Sequence, residues 1–533
     1  MSVPGNSKSA WLLLAVLFVA TCLRLVSLGG TDFFTDESIH AHTARLLVQE
    51  RISPWDFYNG EQPPVFTWLN GFSVLILGAN EFSVRFMSAV LGIAMVILVY
   101  SFGREMYGKK AGIVAASITA VMPIHVLYSR VAFSDMALSF FLLLSIYLAE
   151  QALRKVSDPS KSILLILSGF AFATAFLTKY NAIVIWGLYW IFLFIFSIRR
   201  IPWYEAIISN FSALAAVIAL TEFKIKNIFI LGYNIGTWSV AQSFEGSRPL
   251  SYYLYVLFDG LSPLLFIAFF VVMGYSLYQA VKHRKRKDVI LPFLVVGYLL
   301  IAFAQARKHP RYLVMILPFI SLLMASKLVL LKRRFFYATV TVIVLSCTAF
   351  TIYEVDNMNN FHLLSNTGKY IQDNVPANST IHITEANVYP LKYYIDDEFS
   401  NFRWGNNYAR GAHLELRINY RLNAALVVHG DYVIVSNFVN NPVGGAPLDD
   451  NLIFYSTSRN LYPAIYLRFI GEHGNPIKTL TERNLEVVIY KITQPTGGSF
   501  NLPPPAKPSG LLCTFRRFRQ FIPADFQDKL SNC

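Results

Sequence analysis

Two adjacent acids, Asp36 and Glu37, follow closely on the first long apolar segment of the chain, Trp11 to Leu28. A carboxylate held at the rim of a lipid bilayer is costly, and in a polytopic chain it marks a functional site by default. Basic residues stand in comparable places: Arg130, Lys179, Arg248, Arg307, Lys308 and Arg311 all fall at or near the ends of apolar segments. Carboxylates accept protons, and clustered guanidinium and ammonium groups stabilise an anion that develops as a bond breaks. These residue types together point to group transfer, with one carboxylate deprotonating an acceptor while several cations hold the departing anion.

The same residues admit blander readings. Asp36, or Thr35 before it, capping a helix would satisfy free N–H groups and suit the helix dipole. Each cation alone could snorkel to the membrane interface. His40 lies four residues after Asp36 and shares its helical face, where it either joins a metal site or packs among aromatics. Glu61 and Asp135 are a candidate divalent-metal pair on the same side. No other cofactor is implied.

The elements that position these groups are read from composition. The chain has 533 residues, 54% hydrophobic and 15% charged, with mean hydropathy +0.44. A soluble protein would carry about a quarter charged residues. Apolar blocks of ~20 residues cross ~30 Å of hydrocarbon, and they must be helices because lipid satisfies no backbone polar group. Spans are expected over 10–28, 84–102, 110–127, 131–153, 162–178, 180–198, 204–223, 256–281, 289–305, 310–327 and 335–353. The stretch 65–77 is short for a span and reads as an interfacial helix or one packed inside the bundle. No small-x-small cleavage site precedes Gly29-Gly30, so the first segment is expected to be a retained anchor. Four cysteines are too few for a disulfide framework.

A cytoplasmic N-terminus puts Arg104, Lys109, Lys110, Arg154, Lys155, Lys161, Arg199, Arg200, the Lys282–Lys287 cluster, Lys327, Lys332, Arg333 and Arg334 inside, a consistent positive-inside pattern. The net charge of +14 is thereby spent in short loops rather than on nucleic acid. The Asp36 loop and everything past residue 354 then face outward. The expected fold is a polytopic α-helical membrane protein of about 11–13 transmembrane helices, with a C-terminal extracytoplasmic α/β domain. The membrane domain covers 1–355 with its first outer loop at 29–82, and the α/β domain covers 356–493. Within the latter, Thr380–Thr384, Ala425–Ser436 and Leu485–Ile492 read as strands, and Val388–Ile395 and Leu461–Ile470 as helices. A Pro-rich linker at 494–510 leads to an amphipathic or disordered tail at 511–533.

An outward site with one activated carboxylate and several cations suits a sugar carried on a lipid phosphate. Phosphate leaves without a general acid, so a single base for the acceptor suffices, unlike the two carboxylates of glycosidases. Attack opposite the phosphate inverts the anomeric carbon.

Short marks in order along the chain resemble the C-type, polyprenyl-phosphate-sugar-dependent integral-membrane glycosyltransferases, in particular the protein O-mannosyltransferases and lipid A aminoarabinose transferases. They are Arg24-Leu25, Asp36-Glu37-Ser38, Gln62-Pro63-Pro64 with Trp68-Leu69, Ser129-Arg130 with Asp135, Thr178-Lys179, and Lys308-His309-Pro310-Arg311-Tyr312 leading to Pro318. The resemblance covers roughly residues 10–355 and implies Asp36 as catalytic base, with Glu37 the lesser partner. It implies Lys179, Arg311 and Lys308 as ligands of the carrier phosphate, with Arg307, Arg130 and Arg248 beside them. Glu61 falls where some relatives place a metal-binding acid, with Asp135 and His40 as its candidate co-ligands. Gln62 stands where relatives often have Lys, which puts an aminoarabinose-type substrate contact in doubt. The implied partners are a polyprenyl-phosphate sugar, a glycan, lipid or protein acceptor, and membrane lipids, at a plasma membrane. The competing classes are a lipid-linked sugar transporter or flippase and a non-catalytic membrane assembly protein.

Overall fold

The computed structural model describes residues 7–33, 35–52, 63–155, 160–197, 203–220, 251–283, 285–305, 308–359, 362–376, 378–383, 391, 393–395, 408–410, 415–418, 432–436, 474–482 and 485–492. The helices in chain order are α1 (Ser7–Leu25), α2 (Thr35–Val48), α3 (Val65–Leu77), α4 (Glu81–Tyr107), α5 (Lys109–Val121), α6 (Pro123–Ser129), α7 (Ser134–Arg154) and α8 (Ser160–Phe176). They continue with α9 (Ala182–Ser197), α10 (Trp203–Leu220), α11 (Ser251–Leu261), α12 (Pro263–His283) and α13 (Arg286–Ala304). After a 3-10 turn at Pro310–Ile316 come α14 (Leu317–Leu328), α15 (Arg333–Met358) and α16 (Leu363–Asn374).

Among the described residues six helices are long and apolar enough to cross a membrane, or seven if one bent pair counts as a single span. This is fewer than the expected 11–13. Among the described residues, segments 10–28, 162–178, 180–198 and 204–223 hold shorter apolar helices. The 65–77 stretch forms α3, which buries Phe66, Asn70 and Val74 and exposes Phe72, Leu75 and Ile76. The 310–327 segment is almost wholly buried and runs through the middle of the bundle, whereas α15 is mostly exposed.

The segment expected as one span over 110–127 is broken. Pro123 lacks an N–H, and the chain bends by 62° between α5 and α6. The bend strands the last carbonyls of α5, which distant donors satisfy. Arg24 Nη1 donates to Ala120 O (2.9 Å), Arg24 Nη2 to Thr119 O (3.2 Å), and Thr351 Oγ1 to Val121 O (2.8 Å). Arg24 Nη2 also donates to His125 Nδ1 at 2.8 Å, which fixes the imidazole proton on Nε2. A second break separates α11 from α12, where Ser262 adopts φ 69° before Pro263.

Among the described residues six strands follow: β1 (Thr380–Ile383), β2 (Tyr408–Arg410), β3 (Glu415–Ile418), β4 (Tyr432–Ser436), β5 (Gly474–Glu482) and β6 (Leu485–Ile492). They pair in the order β2-β3-β1-β4-β6-β5, with β1 parallel to β3 and β4 and the remaining pairs antiparallel. β1 and β6 fall on the runs expected as strands. The remainder of Ala425–Ser436 before Tyr432, the Leu461–Ile470 run, the 494–510 linker and the 511–533 tail lie outside the described residues.

Candidate active site at one end of the bundle

Asp36 and Glu37 occupy the first turn of α2, where the helix dipole favours their charge. The cap-like placement and a chemical role are therefore compatible. Their side chains part company. Asp36 is partly exposed and accepts from Arg311 Nη1 at 2.7 Å. Glu37 is fully buried and bound at both oxygens: Arg85 Nε donates to Oε1 and Nη2 to Oε2, each at 2.8 Å, and the Ala132 amide donates to Oε1 at 2.7 Å.

A second ion pair stands beside the first. Lys179, just past the end of α8, donates to Asp135 Oδ1 at 2.7 Å from the first turn of α7. Asp135 Oδ2 is buried without a hydrogen-bond partner among the described residues. The ring of Tyr312 links the two pairs, with Lys179 Nζ 5.7 Å and Arg311 Cζ 6.0 Å from its centroid. Burial pushes the Lys179 ammonium below its ordinary value, opposed by the Asp135 charge. The alternating charges Asp36, Arg311, Lys179 and Asp135 thus form one cluster fed by α2, the turn before α14, the end of α8 and the start of α7.

The remaining expected residues divide. Lys308 is buried, and its Nζ donates to Gln305 O at 2.7 Å, close in sequence to Arg311. Arg130 has a different neighbourhood from the expected phosphate cations. Its Nη1 donates to Leu23 O (3.0 Å) and Val26 O (2.8 Å), and its Nη2 to Ser27 O and Asn359 Oδ1 (3.2 Å each). The bend after α1 leaves these carbonyls without helical donors, and Arg130 serves as their staple. Arg248, Arg307 and Glu61 lie outside the described residues.

His40 packs edge-on against Phe66, with ring centroids 4.8 Å apart. Burial lowers its pKa to about 4, with the Asp36 and Asp135 charges opposing and Lys179 and Arg311 reinforcing the shift. A metal would find a poor shell in the described part of the expected set, because the Lys179 ammonium already holds Asp135 Oδ1. Among the described residues no three His, Cys, Asp or Glu side chains converge.

Two residues that sequence reasoning passed over hold the site in place. Arg85 is buried in α4 and spends all five N–H donors. Besides the Glu37 pair, it donates to Leu28 O (3.1 Å), Thr31 O (3.0 Å) and Asp32 O (2.9 Å). An arginine within an apolar span was the available signal. Asp32, also buried, accepts from the amides of Leu364 (2.7 Å) and Ser365 (3.0 Å). Nothing local in the sequence marks that contact.

Residues 61–224 match the family described as dolichyl-phosphate-mannose-protein mannosyltransferase. An uncharacterized protein of Aquifex aeolicus is 25% identical over 358 residues, 64% of this chain and 69% of its own. The undecaprenyl phosphate-alpha-4-amino-4-deoxy-L-arabinose arabinosyl transferase 2 of Proteus mirabilis is 26% identical over 344 residues, 62% of this chain. The chain spans about three-fifths (61%) of that relative's length. The crystal structure of ArnT from Cupriavidus metallidurans bound to undecaprenyl phosphate shares the fold, with TM-score 0.67 and 12% identity over 91% of this chain and 98% of its own. Family match, relatives and fold concur with the marks in the sequence: the chain resembles the integral-membrane glycosyltransferases that draw their sugars from polyprenyl phosphates.

Proposed function

We propose that the protein transfers a sugar, with inversion, from a polyprenyl-phosphate carrier to a hydroxyl or amine at the outer face of a plasma membrane. In this reading the bundle crosses the membrane about 11–13 times, the N-terminus is cytoplasmic, and the strand-bearing C-terminal part lies outside with the site. The observation that carries it is the Asp36–Arg311 pair at 2.7 Å standing beside the Lys179–Asp135 pair at 2.7 Å.

Arg311 and Lys179 are the cations placed to receive the carrier phosphate, with Lys308 and, outside the described residues, Arg307 and Arg248 as further candidates. Guanidinium offers two parallel donors to phosphate, so a phosphate competes directly with Asp36 for Arg311. Exchange of partners moves Arg311 onto the donor and releases an Asp36 oxygen toward the acceptor. The acceptor oxygen or nitrogen attacks the anomeric carbon as its proton passes to Asp36. The bond from that carbon to the phosphate oxygen breaks, and its electron pair leaves on the phosphate, where Arg311 and Lys179 stabilise the charge. Glu37, both of whose oxygens are engaged, fixes the start of α2 rather than taking a proton.

The relatives support a polyprenyl-phosphate donor, since one is named an undecaprenyl-phosphate aminoarabinose transferase and one was crystallised with undecaprenyl phosphate. The test compares glycoconjugates by mass spectrometry from cells with the protein, without it, and with Asp36→Asn. The variant is expected to match the deletion while purified Asp36→Asn still binds undecaprenyl phosphate. A glycoconjugate retained at full yield in Asp36→Asn removes the base assignment.

A further inference from the structure

Helix α16 begins without a cap of its own. His362 holds the N-cap position and makes no side-chain hydrogen bond to the first turn. The cap comes from 332 residues away, where Asp32 Oδ2 accepts from the Leu364 amide at 2.7 Å and from the Ser365 amide at 3.0 Å. His362 Nδ1 lies 3.8 Å from the other Asp32 oxygen. The next residue is also tied outward, with the Phe33 amide donating to Tyr394 Oη at 2.7 Å. The Phe33 ring meets Tyr393 edge-on at 4.9 Å and stacks on Tyr394 at 6.2 Å. Tyr394 presses on α16 so closely that a Cβ at Gly368 would come within 2.7 Å of its own Cβ. Helix α16 and the 393–395 segment therefore form one block against residues 32 and 33.

Those two residues connect directly to the proposed base. The Asp32 carbonyl accepts from Arg85 Nη2 at 2.9 Å, and the same guanidinium grips both Glu37 oxygens at 2.8 Å. Asp36 precedes Glu37 in the first turn of α2. A continuous chain of charge-assisted bonds thus runs from the α16 amides through Asp32, Arg85 and Glu37 to the turn that presents Asp36. A cap needed only for helix stability is normally supplied by the N-cap side chain itself. Taking it from the loop that carries the base makes the outer helix and the base share one setting.

We infer that Asp32 is a positioning residue: by capping α16 it fixes the loop that presents Asp36, so that the outer segment sets the reactivity of the base. The inference rests on the reading of Asp36 as general base. Asp32 touches neither substrate nor reacting atoms. Whatever displaces α16 or the Tyr394 segment, an acceptor docking outside included, acts on Asp36 through this link.

The test uses the full chain in nanodiscs and in cells. Asp32→Ala is expected to lower the glycoconjugate yield about tenfold or more through misplacement of Asp36. Undecaprenyl phosphate affinity should stay within about threefold, because the cations are untouched. Amide exchange at residues 35–40 should rise. Adding His362→Asp to Asp32→Ala supplies a local cap, which should restore exchange protection of α16 without restoring the yield. Yield that returns with the local cap, or unchanged exchange at 35–40, overturns the inference. Should Asp32→Ala not insert, Tyr394→Phe removes only the Phe33 amide's acceptor, and it should lower yield several-fold and raise exchange after residue 33; no change in either is equally fatal. If Asp36→Asn abolishes product while Asp32→Ala keeps it, this inference alone falls. If Asp36→Asn keeps product, the base reading falls and takes this one with it.

Discussion

Arg85 closes on Glu37 with a two-point pair, Nε to Oε1 and Nη2 to Oε2 at 2.8 Å each, across 48 residues of sequence and with both side chains shut off from solvent. Two charges in the interior repay their desolvation only when geometry is good and the remaining donors and acceptors are satisfied. Both conditions hold here, since Arg85 also feeds the Leu28, Thr31 and Asp32 carbonyls and Glu37 also takes the Ala132 amide. The pair ties α4 to α2, to the loop between α1 and α2, and to the turn before α7.

Breaking one side of a buried pair typically costs about 3–5 kcal/mol. Arg85→Met is expected to destabilise the purified chain by that order, and more than Glu37→Gln does, because it additionally strands three loop carbonyls. Thermal unfolding followed by intrinsic fluorescence measures both. Equal melting of the two variants would mean that the carbonyl contacts contribute nothing.

Much of this arrangement was legible in residue types, and some of it was not. Asp36, Lys179, Asp135 and Arg311 stood out because ionisable groups at the ends of apolar segments are expensive. Their convergence follows from helices that begin and end at one side of the bundle. The same reasoning placed Arg130 among the phosphate cations, because an arginine at a helix end carries the same signature whether it faces a ligand or a bare carbonyl. Where a helix bends or ends, carbonyls lose their donors and nearby arginines go to them, as Arg24 does before Pro123 and Arg130 does after α1. Asp32 escaped notice because its partners, the Leu364 and Ser365 amides, are backbone groups with no sequence signature.

Donor binding should respond oppositely to the two members of the Asp36–Arg311 pair. Arg311→Ala removes charge-assisted bonds worth about 1.5–3 kcal/mol and should weaken undecaprenyl phosphate binding by about tenfold or more. Asp36→Asn removes the competitor for the guanidinium and should leave binding unchanged or tighten it. Titration calorimetry in detergent separates the cases, and weakened binding in Asp36→Asn would contradict the exchange of partners.

His40 gives a pH dependence with a definite sign. Its folded pKa of about 4 lies below the ordinary value of 6.5, so between those values the unfolded chain binds the extra proton. Stability from this group is constant above pH ~6.5 and falls as pH drops toward ~4, by up to about 3 kcal/mol across that window. The Asp36 and Asp135 charges oppose the shift, those of Lys179 and Arg311 add to it, and together they set how steep the loss is. His40→Phe should flatten the acid limb of the melting-temperature profile between pH 6.5 and 4. A limb that persists unchanged would place the proton uptake on another group.

Arg130 and Arg311 offer the sharpest separation of scaffold from site. Arg130 binds the Leu23, Val26 and Ser27 carbonyls where α1 ends, the last shared with the Gly30 amide, together with the Asn359 side chain where α15 ends. Arg311 donates to an Asp36 carboxylate oxygen and lies against the rings of Phe133 and Tyr312. Lysine keeps the charge but not the planar fork, so Arg→Lys tests geometry rather than electrostatics. Arg130→Lys should lower the melting temperature by several degrees, as expected for lost bonds among four acceptors, and leave undecaprenyl phosphate affinity unchanged. Arg311→Lys should weaken that affinity several-fold with little effect on melting, because its partner Asp36 retains contact with water. If Arg130→Lys instead weakens the lipid phosphate and spares the melt, Arg130 belongs with the phosphate cations and its carbonyl bonds give way when the donor arrives.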